Sequence, residues 1–135
     1  MSGEDDLETL LRQMESALQD GTFVFCSIPR GNTLPAAIEP LLIFHEREGT
    51  TVVIRRGEAE RVGLSYEFPS RLITLTVHSS LDAVGFLAAI TARLAEAGIS
   101  VNPVSAYYHD HLFVPEQRAS DALSLLQAMC DVTPD

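Results

Sequence analysis

Hydrophobic residues recur along the start of the chain with two different spacings, which predict a helix followed by a strand. A helix is predicted over residues 5–19, because apolar residues lie three or four positions apart there: Leu7, Leu10, Leu11, Met14 and Leu18. Asp20 and Gly21 are expected to end it. The next segment, TFVFCSI at residues 22–28, is dense in β-forming residues and is closed by Pro29, so it predicts a strand.

A strand hairpin and a short helical turn are predicted next. LLIFHE at residues 41–46 and TTVVIRR at residues 50–56 are separated by a few residues that include Gly49, which favours a hairpin. EAERVGL at residues 58–64 predicts a helical turn ending at Gly63. Residues 66–70, which contain Pro69, are then the expected boundary between two halves.

The second half begins with a strand and a helix. RLITLTVH at residues 71–78 alternates, so that Ile73, Leu75 and Val77 share one face and Thr74, Thr76 and His78 share the other. Residues 80–97 predict a helix that Gly98 closes, with an apolar stripe at Val84, Leu87, Ile90 and Leu94.

Two strands and a helix complete the second half. Residues 99–108 and 111–115 flank a tight turn predicted at His109 and Asp110, and residues 116–130 predict the last helix. The order strand, helix, strand, strand, helix is most of a ferredoxin-like unit, in which an antiparallel sheet carries both helices on one face. Its missing last strand must come from the first half. We therefore expect an α+β fold of two small units, residues 1–69 and 70–135.

Composition narrows the possible partners and compartments. The chain has 135 residues, a formal net charge of −10 and a pI near 4.7, which argues against binding nucleic acid or an anionic membrane. The acidic start does not resemble a signal peptide, and no apolar run approaches the roughly 20 residues that span a bilayer. Cys26 and Cys130 lack the close pairing of a zinc or redox site. We expect a cytoplasmic protein without a cofactor or a metal.

The junction between residues 76 and 85 carries the candidate chemistry. Ser79, Ser80 and Asp82 precede the predicted helix, whose first amide groups lack partners and attract a carboxylate or phosphate. Ser79 and Asp82 also fit a capping box, in which side chains occupy those same amides. Gly85 inside the predicted helix indicates that a ligand or a neighbouring strand approaches the backbone closely.

The segment from residue 70 to residue 131 resembles an ACT domain, the small module that binds amino acids in enzymes of amino-acid metabolism. The resemblance lies in the junction SS-x-x-x-VG, in AGIS-V-N leading into the second strand, and in HDHLFVP. With FVFCSIP and the hairpin after it, the whole chain is similar to short bacterial proteins made of two ACT-like halves. It is also similar to the regulatory domains of aspartate kinases and to the animal cytosolic arginine sensor.

The resemblance implies a non-catalytic regulatory protein that binds a free amino acid, either at the strand–helix loop of the second unit or at the interface between units. It assigns ligand binding to these positions: Ser79, Ser80, Asp82, Ala83, Val84, Gly85 and Asn102. A homodimer is expected, since small sheets with open edges pair side by side. The regulated partner would be an enzyme or a transporter.

Two other classes of function remain open. The same fold could serve as an interaction adaptor without a small ligand. Alternatively, His78, His109 and His111 could bind a metal, or His78 could activate Ser79 or Ser80, although neighbouring strand residues face opposite ways and a structural metal site usually needs four ligands. A hydrogen-bonded histidine pair is the simpler interpretation of His109 and His111.

Overall fold

The computed structural model describes residues 6–77 and 85–131. Its α-helices are α1 (Leu7–Gln13), α2 (Arg56–Val62), α3 (Phe86–Glu96) and α4 (Ala119–Cys130), and a short 3₁₀ turn (Glu116–Arg118) precedes α4. Its strands are β1 (Glu15–Leu18), β2 (Phe23–Pro29), β3 (Leu42–His45), β4 (Gly49–Arg55), β5 (Glu67–Thr76), β6 (Asn102–Ser105) and β7 (Asp110–Pro115). No helix in the described part of the chain is long and apolar enough to cross a membrane.

The chain divides into two compact units. Residues 21–70 form the central unit, and the described residues of 1–20 and 71–135 form the terminal unit. The division falls between Ser70 and Arg71, which is inside strand β5 and at the end of the segment 66–70. The assignment of residues 1–69 and 70–135 to two ACT units stays a prediction.

The central unit is a sheet ordered β3-β4-β2-β5 with one helix. The predicted strand and hairpin are confirmed, and β3 and β4 pair antiparallel with Ile43 opposite Val52. A buried layer lies on one face of this sheet: Val24, Cys26, Ile28, Val52 and Ile54. Ala59 of α2 and Ile38 of the irregular segment 30–41 pack against it. The predicted helical turn is confirmed as α2, which ends at Gly63 in the left-handed conformation that favours glycine.

Strand β5 enters the central unit through an irregular stretch. Phe68 has a positive φ of 56°, and the pairing of β2 with β5 shifts register between Phe23 and Phe25. A bulge of this kind tolerates Pro69, which cannot donate a ladder hydrogen bond. The fully buried Ser70 donates its hydroxyl to the carbonyl of Phe23 at 3.0 Å, so this buried polar group has a hydrogen-bond partner.

The terminal unit is a sheet ordered β1-β5-β7-β6 with helices on one face. Ile73, Leu75, Leu112 and Val114 of the strands are buried against three sets of helical residues: Leu10 of α1, Phe86, Ile90 and Leu94 of α3, and Ala119, Ala122 and Leu126 of α4. This is the predicted ferredoxin-like arrangement. Its fourth strand comes from the first half, as the sequence required, because β1 pairs antiparallel with β5, Leu18 lying opposite Ile73.

The helix predicted over residues 5–19 is wrong in its second half. Helix α1 ends at Gln13, and Met14 already has extended backbone angles. Glu15–Leu18 instead forms β1, which pairs with β5. The position of Leu18 fits a strand as well as a helix, because exposed and half-buried residues alternate along β1. Tertiary pairing with an open sheet edge therefore outweighs local helix propensity here.

Two other predicted boundaries differ from those in the structure. Helix α3 begins at Phe86 rather than at residue 80. The hairpin between β6 and β7 turns at Tyr107 and Tyr108 rather than at His109 and Asp110, since the Ala106 amide donates to the His109 carbonyl at 2.9 Å.

Candidate functional site

Gly85 opens helix α3 at the predicted ligand junction. It is the N-cap residue, with a φ of 89°, and its carbonyl accepts a hydrogen bond from the Ala89 amide at 2.9 Å. The other predicted junction residues lie outside the described residues: Ser79, Ser80, Asp82, Ala83 and Val84. The capping box predicted at Ser79 and Asp82 likewise lies outside the described residues.

The conformation of Gly85 gives a reason for glycine that the sequence did not predict. A Cβ added at Gly85 would meet no described atom within 4 Å, and the close approach of a ligand predicted from the sequence stays a prediction. The left-handed conformation is the reason for glycine here, because other L-residues rarely adopt it. Gly85 therefore sets the direction in which the chain enters α3.

Asn102 begins the edge strand β6 and is exposed. It lies opposite Phe113, and Val104 lies opposite His111. Residues two apart on a strand share a face, so Asn102 is on the same face of the sheet as His111, opposite the helices. The structure thus places Asn102 on the face of the terminal sheet away from its helices, where the opposite residue Phe113 is buried. The predicted role of Asn102 in ligand binding stays a prediction.

A histidine pair lies on the same face. His111 Nδ1 lies 3.0 Å from Thr74 Oγ1, His109 Nδ1 lies 3.4 Å from Thr76 Oγ1, and the two rings are 6.0 Å apart in an edge-to-face arrangement. The hydrogen-bonded histidine pair predicted from the sequence is confirmed. Burial lowers the pKa of His111 and His109 adds to this, while Asp110 opposes it. Among the described residues, no three metal-ligating side chains come together.

The tip of the β6–β7 hairpin carries two aromatic side chains. Tyr107 and Tyr108 are 78% and 79% exposed, and their rings contact each other with centroids 4.9 Å apart. Within the terminal unit neither is buried, because both lie in the turn rather than in a strand.

Both cysteines are structural thiols. Burial raises the pKa of Cys26 and of Cys130, and nearby Asp131 raises the latter further. Cys130 donates its thiol to the Met14 carbonyl at 3.2 Å. A raised pKa disfavours the nucleophilic thiolate, so neither side chain is prepared for covalent chemistry.

The central unit contains a pocket of about 230 Å³ that the sequence did not predict. Side chains from β2, β3, β4 and the segment 30–41 line it: Ile28, Asn32, Thr33, Leu34, Ile43, His45, Thr50 and Val52. The sequence contained one indication of it. A ferredoxin-like unit should have a helix between its first and second strands, and the segment PRGNTLPAAIEP does not readily form one.

Comparison with known proteins identifies the family. Two ACT-domain family models match, one over residues 2–71 and one over residues 67–128. A Vibrio cholerae protein of unknown function, described as a possible transport protein, is 42% identical, with 92% of this chain and 95% of that chain covered and a TM-score of 0.84.

Two more distant structures share the fold. An Agrobacterium tumefaciens protein is 16% identical, with 87% of this chain and 89% of that chain covered and a TM-score of 0.70. The ligand-free regulatory subunit of aspartate kinase from Thermus thermophilus is 12% identical, with 84% of this chain and 95% of that chain covered and a TM-score of 0.61. A search of curated proteins gives no significant match. The family-model matches and the Vibrio cholerae relative show that the chain belongs to the ACT-domain family.

Proposed function

We propose that this protein is a cytoplasmic, non-catalytic regulator that binds a free amino acid at residues 79–85 of the terminal unit, with Asn102 as a further contact. Membership of the ACT family supports a regulatory role that depends on amino-acid binding. The similarity of fold to a regulatory subunit of aspartate kinase is consistent with it. The observation that carries the proposal is the left-handed Gly85 at the start of α3.

The chemistry of that helix start suits a carboxylate. The first amides of a helix have no internal partners and create a positive local potential. No described side chain caps α3, and no acidic residue occupies its first turn. The amides of Phe86 and Leu87 can therefore donate to a ligand carboxylate, while Asp82 or backbone carbonyls of residues 79–84 accept from its ammonium group.

Binding would regulate by shifting an equilibrium between assemblies. A ligand changes such an equilibrium only as far as its affinities for the two states differ. We propose a homodimer as one of these states. Strands β3 and β6 each end a sheet order, and such edges present backbone groups to a second chain.

A second candidate function is an interaction adaptor for an enzyme or a transporter. The observation that favours it is the exposed pair Tyr107 and Tyr108 at the hairpin tip. Tyrosine is enriched in protein interfaces, because its ring adds contact area and its hydroxyl remains able to form hydrogen bonds. Under this hypothesis no amino acid binds, and changing both tyrosines to serine weakens partner binding.

Thermal unfolding of the whole protein with each of the twenty amino acids tests the main proposal. A ligand at about 100 times its dissociation constant adds roughly 2.7 kcal/mol to the free energy of unfolding, which raises Tm by several degrees. We expect such a shift with one or two amino acids. The absence of a shift with all twenty would contradict amino-acid binding and favour the adaptor.

Two matched glycine variants locate the site. Gly85 and Gly98 lie beside opposite ends of α3, both have positive φ, and at both positions an added Cβ meets no described atom within 4 Å. Alanine imposes a similar backbone strain at each position. We expect Gly85→Ala to abolish the ligand-induced shift in Tm, because it redirects the amides of α3, and Gly98→Ala to retain it. Equal shifts in both variants would place the ligand elsewhere.

A further inference from the structure

The core face of the central sheet is left partly uncovered at strand β3. Ile43 lies opposite Val52, and His45 lies opposite Thr50. Val52 belongs to the buried layer, and directly paired residues share a face, so Ile43 and His45 are also on the core side. Ile43 is nevertheless 52% exposed. The irregular segment 30–41 stands where a helix would cover this part of the sheet.

The resulting pocket has an apolar floor and a polar rim. Its apolar walls are Ile28, Leu34, Ile43 and Val52, of which Ile28 and Val52 are 4% and 2% exposed. Its polar side chains are Asn32, Thr33, His45 and Thr50. Thr50 Oγ1 lies 3.4 Å from His45 Nδ1. Apolar walls with a few convergent polar groups are the usual composition of small-molecule sites.

The lack of carboxylates in the described lining of the pocket favours an anionic ligand. No Asp or Glu is among the described residues that line it, although the chain has a net charge of −10. The nearby carboxylate of Glu46 accepts from Thr51, which faces the opposite side of the sheet from Thr50. Arg30 donates to the Arg47 carbonyl at 3.2 Å and joins the segment 30–41 to the β3–β4 turn. The rim therefore supplies hydrogen-bond donors for an anion, and the described lining contains no carboxylate to neutralise an ammonium group.

The size of the pocket limits the ligand further. An engineered apolar cavity of about 150 Å³ holds benzene, so a pocket of about 230 Å³ accommodates a somewhat larger molecule with about eight non-hydrogen atoms. We propose that this pocket binds a short branched or unbranched monocarboxylic acid, with its hydrocarbon tail against Ile28, Leu34 and Val52 and its carboxylate at the rim. This site is separate from the amino-acid site proposed in the terminal unit.

NMR titration of the whole protein tests the proposal with three probes of the same carbon skeleton: 4-methylpentanoate, leucine and 4-methylpentanamide. We expect saturable methyl shifts at Ile28, Leu34, Ile43 and Val52 with 4-methylpentanoate, at a roughly millimolar dissociation constant. Leucine carries an ammonium group without a counter-charge in the pocket, and the amide lacks the negative charge. We expect both to bind at least about tenfold more weakly at these methyl groups.

A pair of tryptophan variants fixes the location. Ile43→Trp fills the mouth of the pocket, whereas Phe44→Trp changes the neighbouring residue, which is 64% exposed and faces the other side of β3. We expect Ile43→Trp to abolish binding of 4-methylpentanoate and Phe44→Trp to retain it. The absence of saturable shifts, equal binding of leucine, or binding that survives Ile43→Trp would each overturn the proposal. Because the methyl shifts report on the central unit alone, failure here leaves the test with Gly85→Ala and Gly98→Ala unaffected.

Discussion

The central and terminal units arrange four strands in the same order but cover their sheets differently. In the terminal unit, the segment between the first and second strands of the ferredoxin-like order contains α3, an 11-residue helix that buries Phe86, Ile90 and Leu94. In the central unit, the corresponding segment 30–41 contributes the buried Ile38 and the half-buried Leu34 without forming a helix. A helix between the first and second strands is therefore not needed for strand pairing, but it is needed to cover the whole core face of the sheet.

The sequence explains this difference directly. The segment PRGNTLPAAIEP, residues 29–40, contains Pro29, Pro35 and Pro40, which remove amide donors and disfavour helical angles in the preceding residues. Phe86–Glu96 contains no proline or glycine and is rich in alanine and leucine. As a result, β3 keeps Ile43 exposed on its core face, and the pocket forms beside it.

Truncating a buried isoleucine in α3 and another in the segment 30–41 tests how rigidly each of these segments packs on its sheet. We expect Ile90→Ala to lower the free energy of unfolding by about 4 kcal/mol, because α3 cannot collapse into the cavity. The matched variant Ile38→Ala should cost about 2 kcal/mol, since an irregular segment adjusts more readily. Urea denaturation of both variants measures the difference. Equal costs would mean that the segment 30–41 holds its sheet as rigidly as a helix does.

Proline substitution tests the strand that completes the terminal unit. The Gln19 amide donates to the Leu72 carbonyl at 2.8 Å, and antiparallel ladders alternate, so the Ala17 amide faces Thr74 while the Ser16 amide faces away. We expect Ala17→Pro to cost about 3 kcal/mol, because it removes a ladder hydrogen bond, and Ser16→Pro to cost about 1 kcal/mol. A helix over residues 5–19 would make both substitutions equally damaging. Urea denaturation therefore distinguishes the two structures of this segment.

The sequence predicted most elements of both units but not the boundaries that tertiary contacts decide. Alternation in residues 71–77 correctly placed Ile73 and Leu75 on one face of β5, and both are fully buried against the helices of the terminal unit. Leu18 fitted both a helix and a strand, and pairing with Ile73, which is distant in sequence, decided between them. The conformation of Gly85 and the uncovered Ile43 likewise depend on chain direction and on packing, which residue spacing does not encode.

The histidine pair of the terminal unit predicts a small pH effect. Burial lowers the pKa of His111 below its ordinary value of 6.5, and the neighbouring His109 contributes while Asp110 opposes. The folded state then binds a proton less readily than the unfolded state. The stability contributed by neutral His111 is therefore fully present above about pH 6.5 and is lost as the pH falls towards the lowered pKa.

Comparison of variants isolates this contribution from that of the many carboxylates. We expect the free energy of unfolding of His111→Gln, measured by urea denaturation across this pH range, to decrease less on acidification than that of the unmodified protein. His109→Gln should have a smaller effect in the same direction, because it removes the second cause and leaves the burial of His111 in place. If His111→Gln retained the full pH dependence, His111 would be equally easy to protonate in both states. The His111 ring would then be hydrated in the folded protein as fully as in the unfolded chain.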